Sequence, residues 1–210
     1  MDKQQKLDQL KQQMKKDGTL PLKKSATNLV FGDGNPDAEI LFIGEGPGYW
    51  EDQKGLPFVG AAGAFLNQLL RIINIPREEV FITNIIHFRP PENRDPLPSE
   101  IEAFQKYLDK IIEIVDPKLI VTLGRFSMAK FLPGVTISSV HGKVKKVEWK
   151  GKEVIILPMY HPAAGLRSTD IKIRITEDFK QIPGILENIR QTESKTEEEE
   201  KKNVEQIQLL

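Results

Sequence analysis

Two stretches decide the predicted fold: Ile40-Leu41-Phe42-Ile43-Gly44-Glu45-Gly46-Pro47-Gly48, and Val154-Ile155-Ile156-Leu157 with the following His161-Pro162-Ala163-Ala164. In each, a short apolar run rich in β-branched residues precedes a glycine-rich or polar motif, which is typical of a strand covered on both faces. In open α/β sheets the ligand crevice lies at the carboxyl ends of the strands. We therefore expect both motifs to lie at one site.

The glycine-rich loop predicts a contact surface. Gly44, Gly46 and Gly48 lack side chains, so a base or a nucleotide backbone could approach the main chain, and Pro47 stiffens the turn. The same residues could also form only a tight turn. The spacing Gly-x-Gly-x-Gly differs from the dinucleotide fingerprint, and no helix pattern begins directly after it. A nucleotide-binding protein would also need an acid about 20 residues further on, where residues 65–68 have none.

The rest of the chain alternates strand-like and helix-like segments, which predicts an α/β fold. We expect a three-layer αβα sandwich with a central, mainly parallel sheet of about four strands. We expect residues 1–18 to form an N-terminal helix or arm. We expect residues 19–192 to form a single domain. Ser99 and Glu102 have the spacing of a capping box. Residues 193–210 form an acidic tail that we expect to be disordered, although its apolar end could bind a protein partner.

Composition limits the class of protein. The 210 residues suit one domain, and there is no cysteine. The formal net charge is zero, which argues against a strongly basic nucleic-acid binder, although the acidic tail leaves a mildly basic remainder. There is neither an apolar stretch of about 18 residues nor a secretory signal. We expect a cytoplasmic protein, a monomer, without membrane contact.

Five ordered segments resemble the family 4 uracil-DNA glycosylases: residues 44–48, 51–60, 83–84, 90–96 and 161–164. The resemblance extends from about Asn28 to about Arg190. It implies a uracil-DNA glycosylase-like fold and a DNA repair enzyme that flips uracil out of DNA and hydrolyses its N-glycosidic bond, leaving an abasic site. The implied partner is uracil-containing DNA, single- or double-stranded.

The resemblance implies roles for four residues. Phe58 is similar to the aromatic residue on which the uracil stacks, although it could be one more core phenylalanine. Asn84 would read the O4 and N3–H edge of uracil, although a turn role is equally compatible with the local sequence. His161 would donate to O2 as charge develops on the base. Glu45, otherwise a solvent-facing turn residue, would stabilise the sugar cation or orient water.

Other positions in the motifs depart from glycosylase patterns. Gly46 lies where some glycosylases carry an acidic or amide general base and where family 4 has alanine, so Gly46 cannot serve as that base. Gly48 lies where others carry a tyrosine that excludes thymine. Tyr49-Trp50 replace an expected acidic pair and could contact DNA or only cover the next turn. Among the implied DNA-binding residues, Pro162, Ala163, Leu166 and Arg167, Leu166 is the wedge and Arg167 a phosphate contact.

Family members hold an iron-sulfur cluster on four cysteines. The resemblance puts these ligand positions near Asp17, Leu20, Phe88 and Phe104, three of which are large and apolar. We therefore expect no cluster and no metal. Mutual burial of the three apolar side chains would hold the same segments together instead.

One alternative function stays open from the sequence, and a second is disfavoured by it. The chain could be a non-catalytic uracil- or DNA-binding module that lost turnover with the cluster. A related subgroup binds uracil covalently through a histidine in an inserted basic loop, but this chain lacks the loop, and Gly46 replaces the glutamine of that subgroup's motif.

Overall fold

The computed structural model describes the backbone of residues 1–208 and the side chains of residues 1–195. Its strands are β1 (Asp33–Gly34), β2 (Ile40–Gly44), β3 (Phe81–Asn84), β4 (Leu119–Leu123), β5 (Lys145–Trp149) and β6 (Lys152–Met159). They form one six-stranded sheet in the order β1-β3-β2-β4-β6-β5. The inner strands β3, β2, β4 and β6 are parallel, and the edge strands β1 and β5 are antiparallel. The sheet is wider than the predicted four strands because two antiparallel edges flank the parallel core.

Helices cover both faces of this sheet. They are α1 (Lys3–Lys16), α2 (Tyr49–Lys54), α3 (Ala61–Ile72), α4 (Pro98–Val115), α5 (Arg125–Ala129), α6 (Ile137–Val140), α7 (Pro162–Gly165), α8 (Thr169–Lys180) and α9 (Ile182–Gln208). Buried residues of α1 and α4 share one apolar cluster, and buried residues of α3, α8 and α9 share a second. The predicted three-layer αβα sandwich is therefore confirmed.

Alternation along β2 explains how one strand supports two cores. Leu41 and Ile43 pack into the cluster of α1 and α4. Ile40 and Phe42 pack into the other cluster, where the Phe42 ring stacks on Phe179 of α8 at 5.8 Å. Successive side chains of a strand point to opposite faces, so a strand covered on both sides must be apolar throughout.

Two local expectations were wrong. A helix does begin directly after the glycine-rich loop, since α2 starts at Tyr49 with Gly48 as its N-cap. The capping carboxylate of α4 belongs to Glu100 rather than Glu102, because the N-cap is Leu97, two residues before Ser99, and the Leu97 N–H donates to Glu100 at 2.8 Å. Arg94 adds an ion pair to the same carboxylate at 2.6 Å.

The described backbone places most of the acidic tail in helix α9. Helix α9 continues to Gln208, and the Ser194 hydroxyl donates to the Arg190 carbonyl within it. Glu, Lys and Gln have high intrinsic helix propensity, which favours this continuation once Ile182, Leu186 and Ile189 have docked the start of the helix. The predicted partner motif at the end of the chain lies outside the residues whose side chains are described.

The N-terminal helix is docked rather than a free arm. Leu7, Leu10 and Met14 are buried against the α4 side of the core, as their shared face predicts. The Lys3 ammonium donates to the Val115 carbonyl at 2.8 Å and so caps the carboxyl end of α4.

Asp17, Leu20, Phe88 and Phe104, at the expected positions of cluster ligands, lie near the contact between α1 and α4. Leu20, Phe88 and Phe104 are all buried in one apolar cluster, and the Phe88 and Phe104 rings are 6.0 Å apart. Asp17 accepts hydrogen bonds from the Lys106 ammonium at 2.9 Å and the Tyr107 hydroxyl at 2.8 Å. With those from Thr19, these hydrogen bonds hold the pKa of Asp17 well below its usual range.

These residues do not fit an iron-sulfur cluster. Three of the four side chains have no donor atom for iron, and they fill the space between the N-terminal segment, the loop after β3 and α4. Their apolar contact, with the hydrogen bonds to Asp17, joins the segments that a cluster would join.

We predict that Phe104→Ala lowers the free energy of unfolding by about 3–5 kcal/mol, because it leaves a cavity at a side chain with no exposed surface. Chemical denaturation measures this change. Leu97→Ala, at a residue that is 51% exposed, serves as the control and should change stability little. An equal, small effect in both variants would contradict the packing role.

His87 lies beside the same apolar cluster and is fully buried. Its Nδ1–H donates to the Val30 carbonyl at 3.1 Å, and its Nε2 has no hydrogen-bond partner among the described residues. Burial lowers the pKa of His87 to about 4, so the imidazole is neutral in the folded protein at neutral pH.

We predict that this histidine makes the fold acid-sensitive. The unfolded chain binds the proton near pH 6.5 and the folded chain near pH 4, so stability is full above pH 6.5 and falls as the pH drops toward 4. The loss approaches about 1 kcal/mol per pH unit for one such histidine. Denaturation of wild type and His87→Phe between pH 7 and pH 5 should give a shallower dependence in the variant. Equal slopes would contradict the assignment.

Candidate active site

A cleft of about 570 Å³ lies at the carboxyl ends of the parallel strands. Strands β2 and β3 are paired so that Gly44 lies opposite Asn84, and β4 and β6 bring Gly124 and His161 to the same edge. The two motifs that are more than a hundred residues apart in sequence therefore line one cleft. Its predicted lining residues are Glu45, Gly46, Gly48, Phe58, Asn84, His161, Ala163 and Arg167.

Gly44 and Gly46 make room for neighbouring protein side chains, and Gly46 and Gly48 also line the cleft. A Cβ atom at Gly44 would lie 2.4 Å from Asn84 Oδ1 and 2.7 Å from the Phe58 ring. At Gly46 it would lie 2.7 Å from Ile86 Cγ1. Gly44 is thus required for Asn84 and Phe58 to reach their positions, and Ile86 fills the space beside Gly46.

Phe58 lies between the glycine-rich loop and the histidine. Its ring stacks on the His161 ring with centroids 5.6 Å apart, and only 6% of the residue is exposed. Its backbone is in the left-handed region, with φ of 51°. Arg77 holds this strained turn by donating to the Pro57 carbonyl at 2.7 Å and the Phe58 carbonyl at 3.4 Å.

Asn84 ends β3 with its side chain in the cleft. The residue is 2% exposed, yet no hydrogen bond joins its amide group to another residue in the described part of the chain. A buried amide group usually has hydrogen-bond partners. Because the Asn84 amide has none in the described part of the chain, its donor and its acceptor are both available to a ligand.

The hydrogen bonds of His161 define its protonation state. The Ala163 N–H donates to Nδ1 at 3.1 Å, so Nδ1 is the unprotonated acceptor and the neutral ring carries its proton on Nε2. Burial lowers the pKa of His161 to about 4; Glu51 opposes this shift and Arg167 adds to it. At neutral pH the ring is therefore an uncharged Nε2–H donor.

Glu45 also lines the cleft. Burial and the nearby Asp95 carboxylate raise the pKa of Glu45 above its usual value, and Arg125 partly opposes this shift. Asp95 and Arg125 form an ion pair with each other beside the cleft. A carboxylate with a raised pKa is a stronger proton acceptor than an exposed one.

The predicted DNA-contact residues divide into two groups. Leu166 is 50% exposed and Arg167 is exposed at the cleft, directly after α7. Pro162 is buried as the first residue of α7, where its fixed φ favours helix initiation, and this favours a structural role over the predicted DNA contact. Gly165 is also buried, and a Cβ there would lie 2.9 Å from the Phe65 ring, so its small size serves helix packing.

Sequence reasoning missed the supporting role of Glu51. Its Oε1 accepts from the Val59 N–H at 2.9 Å and the Gly60 N–H at 2.8 Å, at the amino end of α3. The N-cap of α3 is Gly60, which has no side chain to do this. A glycine at the N-cap indicates that the first N–H groups of α3 need an acceptor from elsewhere in the chain. That acceptor, Glu51, precedes Gly60 by nine residues and becomes adjacent to it only in the fold.

No group of three or more His, Asp or Glu side chains among those described is arranged to hold a metal ion. Likewise, within the described residues, no helix is both long and apolar enough to cross a membrane.

Comparison with known proteins identifies the class that this fold and cleft define. The family model of the uracil DNA glycosylase superfamily matches residues 31–181, which include every strand and the whole cleft. The chain therefore belongs to this superfamily and has its fold.

Its relatives identify the branch. A type-4 uracil-DNA glycosylase of Sulfurisphaera tokodaii is 48% identical over 74% of this chain and 74% of its own. The enzyme of that name from Archaeoglobus fulgidus is 48% identical over 77% of this chain and 83% of its own. That of Saccharolobus solfataricus is 41% identical over 84% of each. The chain belongs to the type-4 uracil-DNA glycosylases.

We predict that Glu51→Ala destabilises the protein by about 1–2 kcal/mol, because two N–H groups at the start of α3 lose their acceptor. Activity should fall as well, since the turn that carries Phe58 loosens. Glu51→Gln keeps one oxygen acceptor and should lose less. Thermal unfolding and activity of both Glu51 variants are measured beside those of the control Glu78→Ala, which removes an exposed glutamate. Stability equal to that of the control would contradict the capping role.

Proposed function

We propose that this protein excises uracil from DNA by hydrolysing the N-glycosidic bond of a flipped-out deoxyuridine, which leaves an abasic site. The observation that supports this most strongly is the meeting of an unpaired Asn84 amide with an Nε2-protonated His161 in one cleft. Membership in the type-4 family supports the same reaction.

Asn84 would select the base. Its carbonyl oxygen accepts from uracil N3–H and its NH₂ group donates to O4. Cytosine presents an unprotonated N3 and an amino group at these positions, so both contacts would be lost. The base would lie against the Phe58 ring, which lines the cleft beside Asn84.

His161 would stabilise the leaving group. Cleavage leaves negative charge on the uracil ring, and the neutral Nε2–H donates to O2 as that charge grows. The Ala163 N–H and the Phe58 ring hold the imidazole in place before the reaction. A preoriented donor stabilises the transition state without first having to reorganise.

Glu45 would act on the sugar side. As the bond lengthens, the deoxyribose becomes cationic, and a carboxylate near it both stabilises that charge and orients the attacking water. The raised pKa of Glu45 favours acceptance of a proton from the water. Gly46 offers no side chain for this step, and Ile86 occupies the neighbouring space.

The DNA strand would follow the rim beside α7. Leu166 is an exposed apolar wedge that can fill the gap left by the flipped nucleotide, and Arg167 is an exposed cation for a phosphate. Ala163 lines the cleft between this rim and His161.

We further propose that residues 19–192 form the catalytic domain and act as a monomer in the cytoplasm, without an iron-sulfur cluster. All predicted catalytic residues lie in one chain's cleft. The chain has no cysteine, and apolar side chains fill three of the four compared positions.

Uracil release from labelled DNA, single-stranded and paired with guanine or adenine, tests the reaction. We expect release by wild type, a loss of about 10²–10³-fold in His161→Ala, and about 10²–10⁴-fold in Glu45→Gln. Because the pKa of His161 is lowered to about 4, its titration should not limit activity between pH 6 and pH 8.

Glu78→Gln is the matched control for Glu45→Gln and should keep full activity, since Glu78 is exposed. Iron chelators should leave wild-type activity unchanged. Uracil-dependent binding without release would instead identify a non-catalytic module. Full activity in His161→Ala would exclude the proposed role of that histidine.

A further inference from the structure

Tyr49 and Trp50 are the only exposed aromatic side chains in the part of the chain whose side chains are described, at 49% and 57%. They are consecutive and form the first turn of α2. The residues on either side of them, Gly48 and Glu51, line the cleft. The aromatic pair therefore lies on the rim of the proposed active site.

The pair is held in a fixed arrangement. The two rings meet edge to face with centroids 5.1 Å apart and an angle of 78° between their planes. The Arg89 guanidinium lies 5.2 Å from the Tyr49 ring centre. Arg89 is itself fixed, because its Nε donates at 2.7 Å to Asn93, which lines the cleft.

Trp50 is close to the elements that carry the proposed wedge. Its ring approaches Gly60 at the start of α3, with 3.6 Å to the position of a Cβ there. Helix α3 packs on α7 through Phe65 and Gly165, and Leu166 follows α7 directly. Trp50 therefore lies against the start of α3, and the same helix packs on the segment that precedes the wedge.

We propose that Tyr49 and Trp50, which we name the aromatic platform, stack on an unpaired base next to the flipped nucleotide. Flat apolar rings with an adjacent arginine suit a nucleic-acid base and its phosphate, and such stacking tolerates any base. Arg89 keeps N–H donors available beyond the one bonded to Asn93.

The platform gives the enzyme a preference for single-stranded DNA. In a duplex the neighbouring base is already stacked and paired, so it can reach the rings only after its own stack is broken. In a single strand it is available without that cost. This inference rests on the proposed function, because it names the form of DNA that the same cleft uses.

Tryptophan fluorescence tests binding without any excision. The chain has two tryptophans, Trp50 and Trp149, so Trp149→Phe leaves Trp50 as the single reporter. We expect a uracil-free oligothymidylate strand to quench this fluorescence and a duplex of equal length to quench it much less. Equal quenching by both, or none by the single strand, would overturn the proposal.

Excision kinetics test the preference itself. We expect Trp50→Leu to lower kcat/KM roughly tenfold on single-stranded uracil DNA and to leave the duplex value within about twofold, while Trp50→Phe keeps most activity. Ile72→Ala, which shortens a side chain that is 48% exposed, is the surface control and should change neither value. Equal losses on both substrates would indicate a structural role of Trp50 and overturn the proposal.

The two experiments separate this inference from the proposed function. Quenching by single strands without any uracil release would contradict the glycosylase function while leaving the platform in place. Uracil release that is insensitive to Trp50→Leu, with no quenching, would contradict only the platform.

Discussion

The close contact of Gly44 with Asn84 and Phe58 is the constraint on which the cleft depends. The parallel register of β2 and β3 sets the glycine opposite the asparagine, and only the missing side chain lets the amide and the ring approach the strand end. Phe58 in turn supports His161 by stacking. A base-reading group, a stacking surface and a donor are thereby fixed with respect to one another by one backbone contact.

Burial lowers the pKa of two histidines to about 4, so protonation of either one opposes folding in acid, but the two rings have different surroundings. His87 is neutral beside an apolar cluster, where its Nε2 has no hydrogen-bond partner among the described residues. His161 is neutral at a cleft, where the Ala163 N–H fixes the tautomer with the proton on Nε2. The chemical environment of the second nitrogen, rather than the pKa, distinguishes the structural histidine from the proposed catalytic one.

Apolar packing and hydrogen bonds join the N-terminal segment to the rest of the fold. Leu20, Phe88 and Phe104 lie in one apolar cluster, and Asp17 accepts hydrogen bonds from Lys106 and Tyr107. Apolar contacts lack the directionality of metal ligands, but the docked helix α1 and the Lys3 cap add further contacts with α4.

The amino-acid sequence by itself determined the α/β class, the parallel strands, the docked face of α1 and the motifs that meet at the cleft, because hydrophobic periodicity and motif order are local properties. Edge strand β1 was missed because two residues give no periodic pattern. The support of Phe58 by Arg77 and Glu51, the tautomer of His161 and the exposed position of Tyr49 and Trp50 were decided only by the tertiary structure. The contacts arise only when the packing of helices on the sheet brings these residues together. The exposure of Tyr49 and Trp50 arises because that packing leaves them uncovered.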